Sequence, residues 1–442
     1  MKITHRFTMS VVAVLSLLFT AGCSSSDIEE DLTEVVEDSQ ESEDNEEEGN
    51  TDDKGNSEEE NKVDNTRHDL VLAAGEAEIV SGYNKQAINL LHQLAEGNTD
   101  NVYTSPVSLN ILLSMFANGV TGDARSELLS YLGASSISEL NTFNTKLMDE
   151  LVKMDKESTL HIANSLWAAP GFSFLSSYRD LIDASYHGSF YSDVALSTDQ
   201  GRNMINQWCS DKTAGLIPEF LERPLDSVVR YFIVNALYFK GVWSDKFVSN
   251  RTSLRPFTAA DGTVGYGQFM EGVRDLMTFE NEGMLMLELP FGNKAFVLDI
   301  LMPAEGTSVN SLLTDSSLLS ILNSTTESRM TVRLPKFKIE TKYDYLVTVL
   351  NGLGLTKLFN DADFSAMTSA EVKNANVIKQ KNVFEIDEEG AKAATVTGEE
   401  GDLLPVPTPT RIVSIDRPFM FIVRETSTGL FVSLGIVNKI EK

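Results

Sequence analysis

Apolar and polar positions alternate along this chain in three distinct ways. Near the N-terminus, Lys2 and Arg6 precede an apolar run broken only by Ser16, Val11-Val12-Ala13-Val14-Leu15-Ser16-Leu17-Leu18-Phe19. That run is too short to cross a bilayer comfortably and has the make-up of a signal-peptide core. A polar stretch follows, with no Phe, Tyr or Trp between Phe19 and Tyr83. From about residue 78 the pattern becomes that of a folded body. Ile88, Leu91, Leu94 and Ala95 recur at helical spacing. Ser105-Pro106 predicts a second helix, with Ser capping the free amides and Pro in the first turn, where no donor is needed. Its apolar face runs through Leu109, Leu112, Leu113 and Phe116, and Asn118-Gly119 marks its end. Residues 123–132 read as another helix, stopped by Gly133.

Strand patterns dominate the later part. Residues 228–239 are apolar for most of their length, as in a strand buried within a sheet. Segments 284–289 and 295–302 predict a strand pair around the turn Phe291-Gly292-Asn293-Lys294. Residues 331–340 read as a long strand interrupted by Pro335, and 419–424 with 430–437 as a hairpin closed by Thr426-Ser427-Thr428-Gly429. Helices first and strands later predict an α+β fold. No internal repeat or long linker divides this body, so three segments are expected: 1–22 a signal peptide, 23–77 a disordered acidic tether, and 78–442 one folded domain.

Charge sharpens the middle segment. Net charge is −29 over 442 residues. About −16 of it lies between Ser24 and Arg67, a stretch too polar to offset its ordering entropy by burial. Such an excess of carboxylates argues against nucleic-acid binding, which needs Lys and Arg to neutralise phosphates. The segment 20–23 reads Thr-Ala-Gly-Cys. It resembles the lipobox of bacterial lipoproteins, in which the Cys is acylated, although Thr20 stands where Leu is usual; an ordinary signal peptide with an incidental Cys23 is the other reading. An acidic patch directly after that Cys resembles the surface-export signal of some Gram-negative lipoproteins, against the plainer reading of a solvated spacer. The expected location is therefore extracytoplasmic: lipid-anchored through Cys23 to the outer membrane, at the cell surface of a Gram-negative bacterium.

Candidate chemistry is sparse. His5, His68, His92, His161 and His187 are scattered, and neither a zinc-protease, a phosphate-binding nor a nucleophile-elbow motif occurs. Gly352-Leu353-Gly354-Leu355 fails the dinucleotide pattern and reads as a helix end and turn. Cys23 and Cys209 have no metal-ligand spacing, and Cys209 reads as a buried small hydrophobe. No cofactor and no metal are expected, and the chain does not read as an enzyme.

Five segments together resemble the serpin family over nearly all of residues 83–442. They are Asn101-Val102-Tyr103-Thr104-Ser105-Pro106-Val107-Ser108, Val234-Asn235-Ala236-Leu237-Tyr238-Phe239-Lys240-Gly241-Val242-Trp243, Leu334-Pro335-Lys336-Phe337-Lys338-Ile339, Asp363-Phe364-Ser365, and Asp416-Arg417-Pro418-Phe419-Met420-Phe421. Each is weak alone; their order and spacing carry the likeness. The resemblance implies helices with three β-sheets, a large central mixed sheet and an exposed reactive-centre loop. It implies a "shutter" of Ser105, Ser108, Asn235 and Gln380, the last in place of the family's usual His. Gln keeps donor and acceptor capacity but does not titrate. It also implies a "breach" at Trp243 and Lys336, with Lys336 pairing with Glu388.

The segment from Ile386 to Thr397 resembles the hinge of inhibitory serpins, with Glu388, Glu389, Gly390, Ala391, Ala393, Ala394 and Thr395 in the matching positions. The residues support that on their own terms. If the segment became a strand, Ala391, Ala393, Thr395 and Thr397 would face the core; all are small, and none is Pro. Glu399 breaks that pattern. Family spacing puts the residue before the cut near Leu404 measured from Glu388 and near Pro407 measured from Pro418. Pro405, Pro407 and Pro409 disfavour the bonds before them, which leaves Leu403–Leu404 as the scissile candidate. The expectation is a monomeric suicide-substrate inhibitor of chymotrypsin-, subtilisin- or elastase-like serine proteases, and of papain-like cysteine proteases, that traps the acyl-enzyme by loop insertion. The alternative is a non-inhibitory serpin serving as a binding or carrier module, against which the small hinge residues speak.

Overall fold

The computed structural model describes residues 65–313, 315–372, 374–375, 377–391 and 411–440. Cys23, Ala393, Ala394, Thr395, Leu403 and Leu404 lie outside these residues. The chain divides into Met1–Asn61, outside the described residues, and a compact unit Lys62–Lys442.

In chain order the compact unit runs through α1 (Glu76–Ala95), β1 (Val102–Thr104), α2 (Pro106–Gly119), α3 (Gly122–Leu132) and α4 (Ile137–Leu151). Next come β2 (Thr159–Ala168), α5 (Ser176–Tyr186), β3 (Gly188–Tyr191), α6 (Asp199–Lys212) and β4 (Tyr231–Lys240). They are followed by β5 (Ser253–Thr258), β6 (Val264–Asn281), β7 (Met284–Phe291), β8 (Phe296–Met302), α7 (Asp315–Leu322) and β9 (Thr326–Pro335). The remainder is β10 (Phe337–Tyr343), α8 (Leu346–Gly352), β11 (Gln380–Ile386), β12 (Ile412–Ser414), β13 (Phe419–Glu425) and β14 (Phe431–Val437). Among the described residues no helix is long and apolar enough to cross a membrane.

The strands form three hydrogen-bonded sheets, as the α+β expectation requires. The largest has the path β1-β14-β13-β8-β7-β6-β9-β12, with β5 on β6. Its β8 and β14 are buried throughout, and β13 at every position but Arg424; the predicted hairpin and strand pair lie there as antiparallel neighbours. The other two are β3-β2-β4, with one parallel and one antiparallel pair, and the antiparallel β10-β11, which flank a division between β4 and β11. Along β4, alternate residues separate two environments. Ile233 and Phe239 join the main core, which includes α2, whereas Phe232, Val234 and Ala236 join Trp208 and Cys209 of α6 on the opposite face. Between β4 and β11 a narrow cleft remains, lined by Ser105, Ser108, Asn235, Gln380 and Asn382.

Three sequence expectations change. The tether was expected to extend to residue 77, yet the body takes up the chain by Asn65: Asn65 donates to Asp155 Oδ1 at 2.8 Å and accepts from the Lys156 amide at 2.8 Å. Leu70 is buried, its amide donating to Ser427 Oγ at 2.9 Å, and Leu72 packs on the core; these apolar residues sit at the edge of an acidic run that masked them. The single strand 331–340 is two strands in different sheets, because the chain leaves β9 at Pro335 and enters β10 at Phe337. Ser105 occupies the N-cap of α2 without capping it, its hydroxyl donating instead to Val432 O at 3.1 Å.

Candidate functional site

The site is the upper end of the cleft, where β11 runs out into the loop. After Ile386 the chain makes a tight turn: the Asp387 amide donates to Gly390 O at 2.9 Å and the Gly390 amide to Asp387 O at 3.2 Å. The turn sends the chain back down, and Ala391 pairs antiparallel with Ile386 while Gly390 pairs antiparallel with Val242. Gly390 and Ala391 therefore stand at the head of the division, one paired to the segment after β4 and the other to the end of β11. Ala391 is 2% exposed. Gly390 has a φ of 136°, and a Cβ there would stand 2.1 Å from Gly241 O, so only glycine fits this crossing.

Trp243 holds the turn. Its indole donates to Asp387 O at 2.9 Å and its amide to Glu389 O at 2.8 Å, while its ring stacks on Phe291 at 4.6 Å. The Phe247 amide donates to Glu388 O at 3.0 Å. Glu388 accepts from Lys336 Nζ at 2.7 Å and Thr252 Oγ1 at 2.7 Å. Burial pushes the Glu388 carboxyl up, but these bonds outweigh it and hold it below the usual range. Glu389 pairs with Lys246 at 2.7 Å on the surface. Trp243, Lys336, Glu388, Glu389, Gly390 and Ala391 thus converge on one turn.

The shutter residues come together differently. On the β4 side, Ser108 bonds Asn235 Oδ1, and Asn235 donates to Asn164 Oδ1 at 2.8 Å. On the β11 side, Gln380 donates to Ser105 O at 2.8 Å and accepts from Thr104 Oγ1 at 2.7 Å, with Asn382 donating to it at 3.3 Å. Each polar half is satisfied within its own side of the cleft. Asn164, Thr104, Asn382, Thr252 and Lys246 were not singled out from sequence. Asn382 had a signal, two residues from Gln380 on a strand and so on the same face; Thr252 and Lys246 had none, being brought in by long-range packing. Cys209 lines the same cleft as a buried free thiol that burial pushes up to about 12.

Residues 81–440 match the family described as Serpin (serine protease inhibitor). Iripin-8 of Ixodes ricinus is 30% identical over 373 residues, 80% of this chain and 92% of its own. Serpin B6 of Macaca fascicularis is 30% identical over 357 residues, 78% and 94% respectively. Among solved structures, Arabidopsis AtSerpin1 in its native stressed conformation aligns with TM-score 0.72 and 27% identity, over 84% of this chain and all of that one (100%). Tengpin, a thermophilic serpin in its native state, aligns with TM-score 0.75 and 24% identity over 84% and 96%, a likeness of fold.

Proposed function

We propose, starting from the fact that this chain belongs to the serpin family of protease inhibitors, that it is a suicide-substrate inhibitor whose cut loop inserts between β4 and β11. Its targets are chymotrypsin-, subtilisin- or elastase-like serine proteases, together with papain-like cysteine proteases. The observation that carries this is the strand pairing begun by Gly390 and Ala391. Insertion extends those two pairs down an open cleft. About a dozen further residues, each gaining roughly 0.5–1.5 kcal/mol per hydrogen bond, stabilise the product by on the order of 10 kcal/mol. At about 3.3 Å per residue they also carry a covalently held protease some ~40 Å from where it bound. Insertion as a trap is the family's mode of action; the small hinge residues and the bridging pairs support it for this chain.

The test is an SDS-stable complex with a serine protease. Ala391→Arg puts a long cation where the side chain is buried and is expected to abolish the complex while leaving the loop cleavable. Failure of a broad protease panel to give any complex would sink the inhibitor reading. Cleaved protein no more heat-resistant than intact protein would leave the carrier role in its place.

The N-terminal sequence supports an address as well: secretion, acylation at Cys23 and an outer-membrane, surface position with the acidic stretch as spacer. Cys23→Ala is expected to move the protein from the membrane to the soluble extracytoplasmic fraction; retention in the membrane pellet would overturn the lipid anchor.

A further inference from the structure

Residues 65–72 run over the body ahead of α1 and precede the residues 81–440 that match the family. We propose that this strap is a clasp on the turn of residues 291–294, between β7 and β8, and that the clasp steadies the hinge latch, so that releasing the strap loosens the turn held by Trp243. The coupling does not depend on loop insertion.

Asn65 ties the strap to both neighbours of that turn. Its Nδ2 donates to Oδ1 of the buried Asp155 at 2.8 Å, and its Oδ1 accepts from the Lys156 amide at 2.8 Å. Asn293, in the turn itself, donates to Asn65 O at 3.3 Å and to Met154 O at 2.7 Å. Two residues along the strap, Arg67 Nη1 donates to Lys294 O at 2.9 Å. Leu70 then anchors the strap, buried and with its amide donating to Ser427 Oγ at 2.9 Å, while Lys146 Nζ donates to Val71 O. Leu72 packs on the core. Burial of these two leucines offsets the entropy of ordering a segment that belongs to no helix or strand.

The clasped turn needs support from outside. Lys294 has a φ of 72°, a conformation that residues with a side chain rarely adopt. Gly292, with a φ of 42°, lies against Asp155: a Cβ there would stand 2.0 Å from Asp155 Oδ2. The same glycine holds the segment after β4, its amide donating to Val242 O at 2.7 Å and its carbonyl accepting from Ser244 Oγ at 2.7 Å. Phe291 beside it stacks on Trp243, which binds Asp387 O and Glu389 O of the hinge. Asn65, Asp155, Gly292, Val242 and Trp243 thus form an unbroken path of contacts from strap to hinge, the kind of contiguous network through which coupling travels.

Amide hydrogen exchange in the full chain tests this. Position 70 reports the strap; Gly292, Trp243 and Gly390 report the turn and hinge; Ile422 on β13 reports the scaffold. Asn65→Asp sets a second carboxyl group against Asp155, and Leu70→Asp removes the buried anchor without touching Asp155. Each variant is expected to free the amide at position 70. Each is also expected to speed exchange at Gly292, Trp243 and Gly390 by about tenfold or more, as for loss of one hydrogen bond to a charged group, with Ile422 unchanged. Adding Asp155→Asn to Asn65→Asp exchanges donor and acceptor and is expected to return Gly292 to its slow rate. Hinge amides that keep wild-type rates while position 70 exchanges freely overturn the coupling. So does equal acceleration at Ile422, which marks a general loss of stability, and so do variants that alter none of these rates. A double variant as fast at Gly292 as Asn65→Asp alone overturns the path through Asp155.

Discussion

At the scale of single residues, the cleft depends on side chains whose types are set by space and by hydrogen-bond capacity. Gly390 crosses a gap in which any Cβ collides with Gly241 O. Gln380, in a position that often carries a titratable ring in this family, donates to one carbonyl and accepts from one hydroxyl, so its links do not change with pH near neutrality. Cys209 is buried beside the cleft with its thiol pushed up to about 12, and only the thiolate reacts. A thiol reagent such as DTNB is therefore expected to leave Cys209 unmodified in the native protein near pH 8 and to label it once urea unfolds the chain. Rapid native-state labelling would show that α6 lifts readily from the sheet. The small, buried character of Cys209 was legible in its sequence neighbours; that it borders the cleft was not, because α6 reaches β4 only through tertiary packing.

At the scale of elements, the hinge turn is an ion-pair and hydrogen-bond latch between β11, β10 and the segment after β4. Glu388 has a lowered folded pKa, so the stabilisation it brings is present above its unfolded value and is lost as pH falls through the folded value. Hydrogen exchange at the Gly390 and Ala391 amides, compared with local reference amides, is expected to accelerate as pH is taken below about 4. Glu388→Gln is expected to show that loosening already at neutral pH and to lose its acid dependence. An unchanged acid response in Glu388→Gln would remove Glu388 as its source. The Lys336–Glu388 pair was legible through family resemblance, whereas Thr252 and Lys246 carry no motif. The break between β9 and β10 was visible as Pro335, but that the two strands serve different sheets was not. One residue of connection, Lys336, suffices to change sheets, and a hydrophobic pattern has no mark for that.

At the scale of the molecule, the largest sheet is pinned by a buried charge cluster. Arg424 on β13 donates from Nε to Asp299 Oδ2 on β8 at 2.6 Å and from a terminal nitrogen to Glu288 on β7 at 2.7 Å. Asp299 is fully buried, so removal of the guanidinium strands a carboxylate without its counter-charge. Arg424→Met is expected to lower unfolding stability in urea by about 3–5 kcal/mol, and adding Asp299→Asn is expected to recover part of it. If Arg424→Met costs less than about 1 kcal/mol, the cluster is not what holds β7, β8 and β13 in register.

The amino-acid sequence by itself determined the α+β class, most strand and helix positions, the family, and the small, Pro-free composition of the hinge. These follow from local periodicity, turn chemistry and motifs, which are properties of neighbours along the chain. Tertiary structure alone decided that residues 65–75 join the body and that the polar cluster splits into two satisfied halves. It also decided that Gly390 stands beside Val242 and Ala391 beside Ile386 at the head of the cleft. Each of these depends on which strands stand side by side and how far apart, distances that packing of the whole molecule sets and that no short stretch of sequence encodes.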